Sequence, residues 1–186
     1  MIAGSVLVLP AVADDQVTCH DASGDEAISA CTLVIEDRGA SAKIRAIAYT
    51  SRGFEYDDKG DYNRAIADYN EAIRLDPNLA FAYSNRGNAY DAKGDPDRAI
   101  ADLTEAIQLD PKFAKAYGGR GRVYRHKGNY DRAIADFNEA IRLAPNFTDA
   151  YCDRGLAKRA QGDAAGANMD FAKAKQLDRN IGSWCN

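Results

Sequence analysis

The chain has 186 residues, of which 46% are hydrophobic and 28% are charged, and its formal net charge is −4. This composition is typical of a folded, soluble chain with enough apolar residues for a continuous core. The net negative charge argues against nucleic acid as the main partner, because binding to phosphates requires a dominant basic face.

The first thirteen residues form an apolar run that ends in Ala-Val-Ala. An apolar run ending in an A-x-A site is typical of a signal peptide, although here no Lys or Arg precedes it. The run is too short to span a bilayer as a helix. We therefore predict a signal-peptide remnant over residues 1–13, the alternative being an apolar segment that packs on the rest of the chain.

The next segment, residues 14–40, partly matches a motif found further along the chain. Its sequence GDEAISACTLVI aligns with GDYNRAIADYNEAI when two residues are skipped, so that Cys31 takes the place of an aromatic residue. This alignment predicts a degenerate N-terminal helix pair over residues 14–40. Gly39 is then expected to interrupt the helical segment, and Ser41 to cap the following helix.

From residue 46 onward the sequence repeats with a spacing of 34 residues. Two glycine columns carry the period, at position 8 and at position 15 of each repeat. They contain Gly53, Gly87, Gly121 and Gly155, and Gly60, Gly94, Gly128 and Gly162. A period in this range indicates a solenoid. We predict four repeats over residues 46–79, 80–113, 114–147 and 148–181, and a tail over residues 182–186.

Other columns are just as regular. Tyrosine fills position 4, alanine fills positions 20 and 27, and proline fills position 32 in the first three repeats. Small residues at positions 8, 20 and 27 let two antiparallel helices approach closely, and large residues at positions 4, 11 and 24 fill the space beside them. The proline ends the second helix of each pair.

This pattern resembles the tetratricopeptide repeat (TPR) family over residues 46–181. The resemblance implies an all-α fold, a TPR solenoid of antiparallel helix pairs that forms a right-handed superhelix. The chain also looks like exported TPR proteins of the Gram-negative envelope. In the fourth repeat, Lys158, Asn168 and Arg179 depart from the pattern. We expect these polar residues at a solvated end, since terminal repeats need a polar outer face.

The four cysteines are predicted to form two disulfides. Helix pairs separate Cys19 and Cys31 from Cys152 and Cys185 by more than the reach of a disulfide, which excludes pairing between the ends of the array. The remaining pairs are Cys19 with Cys31 and Cys152 with Cys185. Together with the signal-like segment, they favour a periplasmic or secreted protein. The alternative is a cytoplasmic protein with four buried thiols.

One charged pattern also repeats. Arginine fills position 7 and aspartate fills position 23, sixteen residues later on the other helix of each pair. We predict inter-helix ion pairs between them, each contributing about 0 to 1 kcal/mol if exposed.

No catalytic or cofactor motif is present. The two histidines, His20 and His126, are far apart in the sequence, and the sequence contains no H-E-x-x-H, G-x-S-x-G or Walker motif. The glycines at 118, 119 and 121 lie within a predicted helix with no strand before it, which argues against a phosphate loop. We predict no catalytic residue, metal or cofactor.

The resemblance implies that ligands bind to the concave face, which the family builds from the first helix of each pair. Unlike the core columns, these positions vary between repeats, as selective binding requires. The predicted groove residues are Phe54, Asp57, Asp58, Phe81, Ser84, Asn85, Asn88, Asp91, Lys115, Gly118, Arg122, Arg125, His126, Leu156 and Arg159. Acidic groups dominate the first two repeats and basic groups the last two, so an extended peptide with both charges would fit in one direction.

Some TPR domains grip a chaperone's C-terminal carboxylate with a specific set of lysines, asparagines and an arginine. Of the matching positions, Asn85 and Lys115 fit that set, whereas Thr50, Phe54 and Gly119 do not. This clamp is therefore not expected here.

These observations predict a non-enzymatic adaptor or scaffold that binds a peptide or protein segment in its groove. The alternatives are a self-assembly module and a regulatory accessory subunit of an envelope complex. We expect a monomer that binds protein or peptide, without nucleic acid and without membrane insertion. Within the groove, Arg122, Arg125 and Arg159 are predicted to hold an acidic part of the ligand. Gly118 and Gly119 beside them are expected to let a ligand backbone come close.

Overall fold

A computed structural model of the chain describes residue 19, residues 21–182 and residue 185. Within these residues it contains nine α-helices and no β-strand. The helices are α1 (Gly24–Glu36), α2 (Ala42–Asp58), α3 (Tyr62–Leu75), α4 (Ala80–Ala92), α5 (Pro96–Leu109), α6 (Ala114–His126), α7 (Tyr130–Leu143), α8 (Thr148–Ala160) and α9 (Ala164–Leu177). The predicted signal segment and His20 lie outside the described residues. The predicted all-α fold of helix pairs is confirmed.

The chain divides into two compact units, Met1–Pro77 and Asn78–Asn186. In the N-terminal unit, α1 packs on α2, and α2 pairs with α3. The hydroxyl of Ser41 accepts a hydrogen bond from the backbone N–H of Ile44, so this residue caps α2 as predicted. Such a cap satisfies one of the free N–H groups at a helix start.

A buried carboxylate joins α1 to α2. Glu55 of α2 is 9% exposed, and its side chain accepts a hydrogen bond of 2.6 Å from the backbone N–H of Gly24, the first residue of α1. Ser23 at the cap position makes no such bond itself. A negative charge at a helix N-terminus is favourable. The carboxylate of Glu55 therefore supplies the cap that the local sequence of α1 lacks.

The C-terminal unit consists of three helix pairs, α4 with α5, α6 with α7, and α8 with α9. In the core, small residues of one helix pack against large residues of the other, as the repeat positions predicted. A Cβ atom at Gly121 of α6 would lie 2.8 Å from the ring of Phe137 on α7, which is fully buried. Glycine is therefore required at position 8 because the facing aromatic side chain fills the space that a Cβ would need. The glycines of the turn column have positive φ, between 73° and 90° in this unit, where a side chain would be strained.

The predicted ion pairs between positions 7 and 23 are confirmed. The guanidinium of Arg120 donates two hydrogen bonds of 2.9 Å to the carboxylate of Asp136, and a third bond of 3.1 Å to Thr104 of the preceding pair. The ring of Tyr117 lies beneath it, 5.8 Å from the guanidinium carbon. The equivalent pairs are Arg52 with Asp68, Arg86 with Asp102, and Arg154 with Asp170.

These ion pairs are far less exposed than the sequence suggested. The side chains of Arg120 and Asp136 are only 18% and 10% exposed. Water therefore screens them weakly, and removing one partner would leave a partly buried charge without compensation. The figure of about 0 to 1 kcal/mol applies to exposed pairs, so the cost of breaking one of these mostly buried pairs is expected to be larger.

Lys158 corrects a second expectation. This residue is not a solvated substitution, because its ammonium lies 2.9 Å from the carboxylate of Asp170 and its side chain is 23% exposed. In the earlier repeats, a tyrosine at the same position stacks under an arginine, as in the pair Tyr90 and Arg98. The fourth repeat has Gly166 in place of that arginine. A lysine-to-carboxylate contact thus replaces the tyrosine-to-arginine contact.

All four cysteines lie within the described residues, and they form two pairs at disulfide-bonding distance. The Cα atoms are 4.6 Å apart for Cys19 and Cys31 and 5.2 Å apart for Cys152 and Cys185. Both distances are within the range that a disulfide requires. The pairs are those chosen from the sequence.

The C-terminal tail covers the last helix pair. Cys185 is 2% exposed and forms a small core with Cys152 and Ala174, against which Phe171 and Ile181 pack. Cys185 therefore buries apolar surface of the last helix pair.

Candidate functional site

The first helices of consecutive pairs in the C-terminal unit, α4, α6 and α8, contact one another side by side. A depression runs between them, which we call the polar pocket. Its polar lining comes from Asn88 of α4, from Lys115 and Arg122 of α6, and from Asp149 and Asp153 of α8. All four charged lining residues stand at positions where α4 has an uncharged residue, namely Phe81, Asn85 or Asn88, so the pocket is specific to this part of the chain.

Arg122 forms the centre of the pocket. Its guanidinium donates a hydrogen bond of 2.9 Å to the side-chain oxygen of Asn88, and its Nε atom lies 3.8 Å from the carboxylate of Asp91. The side chain is nevertheless 40% exposed. Arg122 is therefore held in place by α4 while part of its guanidinium faces solvent.

Arg125 and His126 are bound more tightly to their neighbours. Arg125 lies 3.2 Å from the carboxylate of Asp153, and both side chains are mostly buried. The Nδ1 atom of His126 lies 3.3 Å from the carboxylate of Asp91. The contact with Asp153 neutralises the charge of Arg125, which the sequence suggested was available to a ligand. Arg125 is in consequence part of the link between α6 and α8.

Asp153 was not selected from the sequence. Burial raises the pKa of its carboxyl above the ordinary value, and the positive charges of Arg125 and Arg122 oppose this rise. The equivalent residues in the other repeats are Ser51, Asn85 and Gly119, so no column marks a carboxylate here. Asp153 could have been found from its spacing, because it lies one helical turn after Asp149 and therefore on the same face of α8.

Lys115 and Asp149 stand at the mouth of the pocket. Both side chains are exposed, and neither has a hydrogen-bond or ion-pair partner among the residues that the structure describes. Asp149 lies in the first turn of α8, where the helix dipole favours a negative charge. Lys115, in the first turn of α6, has no such compensation. Lys115 is therefore the cation most available to a ligand.

Two predictions about this face are corrected by burial. Ser84 is 1% exposed, so its side chain cannot reach a ligand in the groove. Gly118 lines the polar pocket but is buried, and a Cβ atom added there would lie 2.9 Å from the ring of Phe147. At Gly119 a Cβ would meet both Asn88 and the side chain of Leu103. Internal packing thus explains these glycines, and the approach of a ligand backbone is not needed.

The remaining predicted groove residues are placed as follows. Phe81 is 55% exposed, and its ring centroid lies 4.5 Å from that of Phe113. Asn85 and Leu156 are partly exposed. Arg159 is exposed and lies 5.2 Å from the ring of Phe171 on α9. In the N-terminal unit, α2 carries the exposed Phe54 and Asp58 and the partly exposed Asp57.

The described part of the chain offers neither a metal site nor a membrane-spanning helix. No group of three or more His, Cys, Asp or Glu side chains is arranged to hold a metal ion. Among residues 19, 21–182 and 185, no helix combines the length and the apolar character needed to cross a membrane.

The fold and this face together define a class of protein, a helical repeat array whose core columns are copied while one surface varies. Two family models match the sequence, a tetratricopeptide repeat model over residues 84–146 and a TPR repeat model over residues 53–94. No curated protein matches the chain. The chain belongs to the tetratricopeptide repeat family.

Solved structures give the same result. The chain in the crystal structure of MamA protein has 30% sequence identity to this chain. The match covers 90% of this chain and 88% of that chain, with a TM-score of 0.69. The first TPR of Spaghetti (RPAP3) bound to HSP90 peptide SRMEEVD is 25% identical, covering 64% of this chain and 95% of that chain, with a TM-score of 0.62. PilF of Pseudomonas aeruginosa is 23% identical over 75% of this chain and 64% of that chain, at a TM-score of 0.70, and shows the fold alone.

Proposed function

We propose that this chain is a non-enzymatic adaptor that binds an extended segment of another protein across α4, α6 and α8. One observation carries the proposal, namely that the scaffold columns are copied between helix pairs while the polar pocket is not. Arg86, Arg120 and Arg154 make the same contacts in every pair of the C-terminal unit. Lys115 and Arg122 have no cationic counterpart in α4. Selective binding calls for such a division.

The comparison with the RPAP3 domain supports this proposal, because that domain is bound to a peptide. The identity of the ligand is not carried over. The groove of this chain differs in charge from the clamp considered above, and Arg125 is already paired with Asp153. We therefore assign the contact with an acidic part of the ligand to Lys115 and Arg122, rather than to Arg122, Arg125 and Arg159 together.

Affinity capture with a matched pair of variants tests this function. Arg122→Ala should reduce capture of the partner by about tenfold or more, because a charge-assisted contact at the centre of the pocket is lost. Arg142→Ala is the control, since it also removes an exposed arginine from the C-terminal unit but lies on α7, where Arg142 pairs with Glu139 of the same helix. Equal capture by the two variants would overturn the proposal, provided that both keep the thermal midpoint of the original chain.

We also propose that the protein is exported to the periplasm or secreted. The two cysteine pairs at bonding distance support an oxidising compartment. Intact-mass analysis of protein recovered from its native cells, after alkylation without reductant, should show no alkylated thiol and a chain that starts at Asp14. Four alkylated cysteines would contradict the proposal.

A further inference from the structure

We propose that the C-terminal unit selects segments that carry an apolar side chain and, two residues away, an acidic side chain. This inference rests on the proposed function and specifies the chemistry of its ligand. It comes from a second depression, the apolar pocket, at the edge of the same face. Its lining is Ala114, Lys115, Ala144, Pro145, Asn146 and Phe147.

The apolar pocket has a fixed wall. Its residues come from the start of α6 and from the turn between α7 and α8. The backbone N–H of Phe147 donates a hydrogen bond of 3.0 Å to the carbonyl of Ala144, which closes this turn. Pro145 restricts the backbone further. A preformed apolar surface of this kind accepts a side chain at little cost in conformational entropy.

The two pockets are neighbours. Lys115 and Phe147 line both of them, so the two pockets adjoin at these residues. In an extended chain, alternate side chains lie on the same face about 6.6 Å apart. A ligand that crosses Phe147 would therefore place residues i and i+2 in the two pockets.

The charge expected for the ligand residue in the polar pocket depends on which charged side chains of the pocket already have a partner. Asp153 is paired with Arg125, and Asp149 lies at the favourable end of the α8 dipole. Lys115 has no ion-pair partner in the described part of the chain, and the Nε atom of Arg122 is 3.8 Å from its nearest carboxylate. Lys115 and Arg122 are thus the cations that a ligand can still engage, whereas the charge of Asp149 is favoured by the helix dipole. An acidic side chain complements these cations better than a basic one.

Short synthetic peptides test the inference directly. The probes are fluorescein-labelled, C-terminally amidated peptides with Leu-Ser-Asp at the centre of a Gly-Ser sequence, and binding is measured by fluorescence anisotropy. We expect Leu-Ser-Asp to bind about tenfold more tightly than Leu-Ser-Lys, Ala-Ser-Asp or Leu-Asp, since each of these loses one pocket or the spacing. Equal affinities, a preference for Leu-Ser-Lys, or no binding of Leu-Ser-Asp up to about 1 mM would overturn the inference.

Variants assign each preference to its pocket. Ala114→Glu places a carboxylate in the apolar pocket and should abolish the preference for Leu over Ala. Ala114 is the first residue of α6, where an acidic residue suits the helix dipole. Ala164→Glu makes the same change at the first residue of α9, outside both pockets, and should have no effect.

The charge preference has its own variants. Lys115→Ala should remove the preference for Asp over Lys while keeping that for Leu over Ala, and Asp149→Asn should strengthen binding of the acidic probe. Lys112→Ala, in an exposed turn, is the control. If capture of the natural partner depends on Arg122 but these probes show no preference, the proposed function stands and this inference fails. If Arg122→Ala captures the partner normally, the proposed function itself fails.

Discussion

Replacing Asp136 with alanine should lower the free energy of unfolding by about 3 kcal/mol, which is the typical cost of breaking a buried ion pair. The variant loses two hydrogen bonds of 2.9 Å to Arg120. It also leaves the guanidinium of Arg120 uncompensated, with a side chain that is only 18% exposed. The third bond of Arg120, to Thr104, would lose its geometry at the same time.

Urea unfolding followed by circular dichroism measures this loss. Glu139→Ala is the matched control, because it breaks the ion pair with Arg142 on the same helix α7, where both side chains are much more exposed. The control should cost less than about 1 kcal/mol. If Asp136→Ala costs no more than Glu139→Ala, the four repeated ion pairs contribute only as surface pairs do, and our account of the scaffold is wrong.

Removing the second cysteine pair should free the C-terminal end of the array. In the chain-entropy account, a disulfide that closes a loop of this size, between Cys152 and Cys185, stabilises by about 4 kcal/mol. Cys185 also completes the small core around Ala174. Because repeat proteins gain stability from nearest-neighbour contacts, the loss should be largest in α8 and α9.

Native-state hydrogen exchange locates this effect. The double variant Cys152→Ala/Cys185→Ala should exchange faster in α8 and α9, while α2 and α3 keep their protection. The double variant Cys19→Ala/Cys31→Ala is the reciprocal control and should affect α1 instead. Unchanged protection of α8 and α9 would show that the tail does not stabilise the last repeat.

The fold was predictable because the residues that specify it recur at the same positions of every 34-residue repeat. A small residue facing a large one, such as Gly121 and Phe137, is a pairwise requirement that recurs at fixed spacing, so the sequence reveals it directly. The partners of the arginine column were predictable for the same reason. Their burial was not, because it depends on the ring of Tyr117 and on a contact with the preceding pair.

The candidate site was less predictable, because a residue's position on the groove face does not determine how exposed that residue is. Gly118 belongs to the predicted groove column and lines the polar pocket, yet it is buried against the ring of Phe147. Asp153 lies outside the chosen columns but lines the polar pocket. Its pairing with Arg125 joins residues 28 positions apart, on helices whose relative placement no single column encodes. The cap that Glu55 provides for α1 is non-local in the same way.

The most direct measurement of the central claim maps a bound partner segment onto this surface. Hydrogen exchange detected by mass spectrometry should be compared for the chain alone, the chain with its captured segment, and Arg122→Ala with the same segment. We predict that the segment protects α4, α6 and α8 around the polar pocket, and that Arg122→Ala loses this protection. Protection that is confined to the second helices α5, α7 and α9, and that is unchanged in Arg122→Ala, would contradict the claim that the segment binds at the polar pocket.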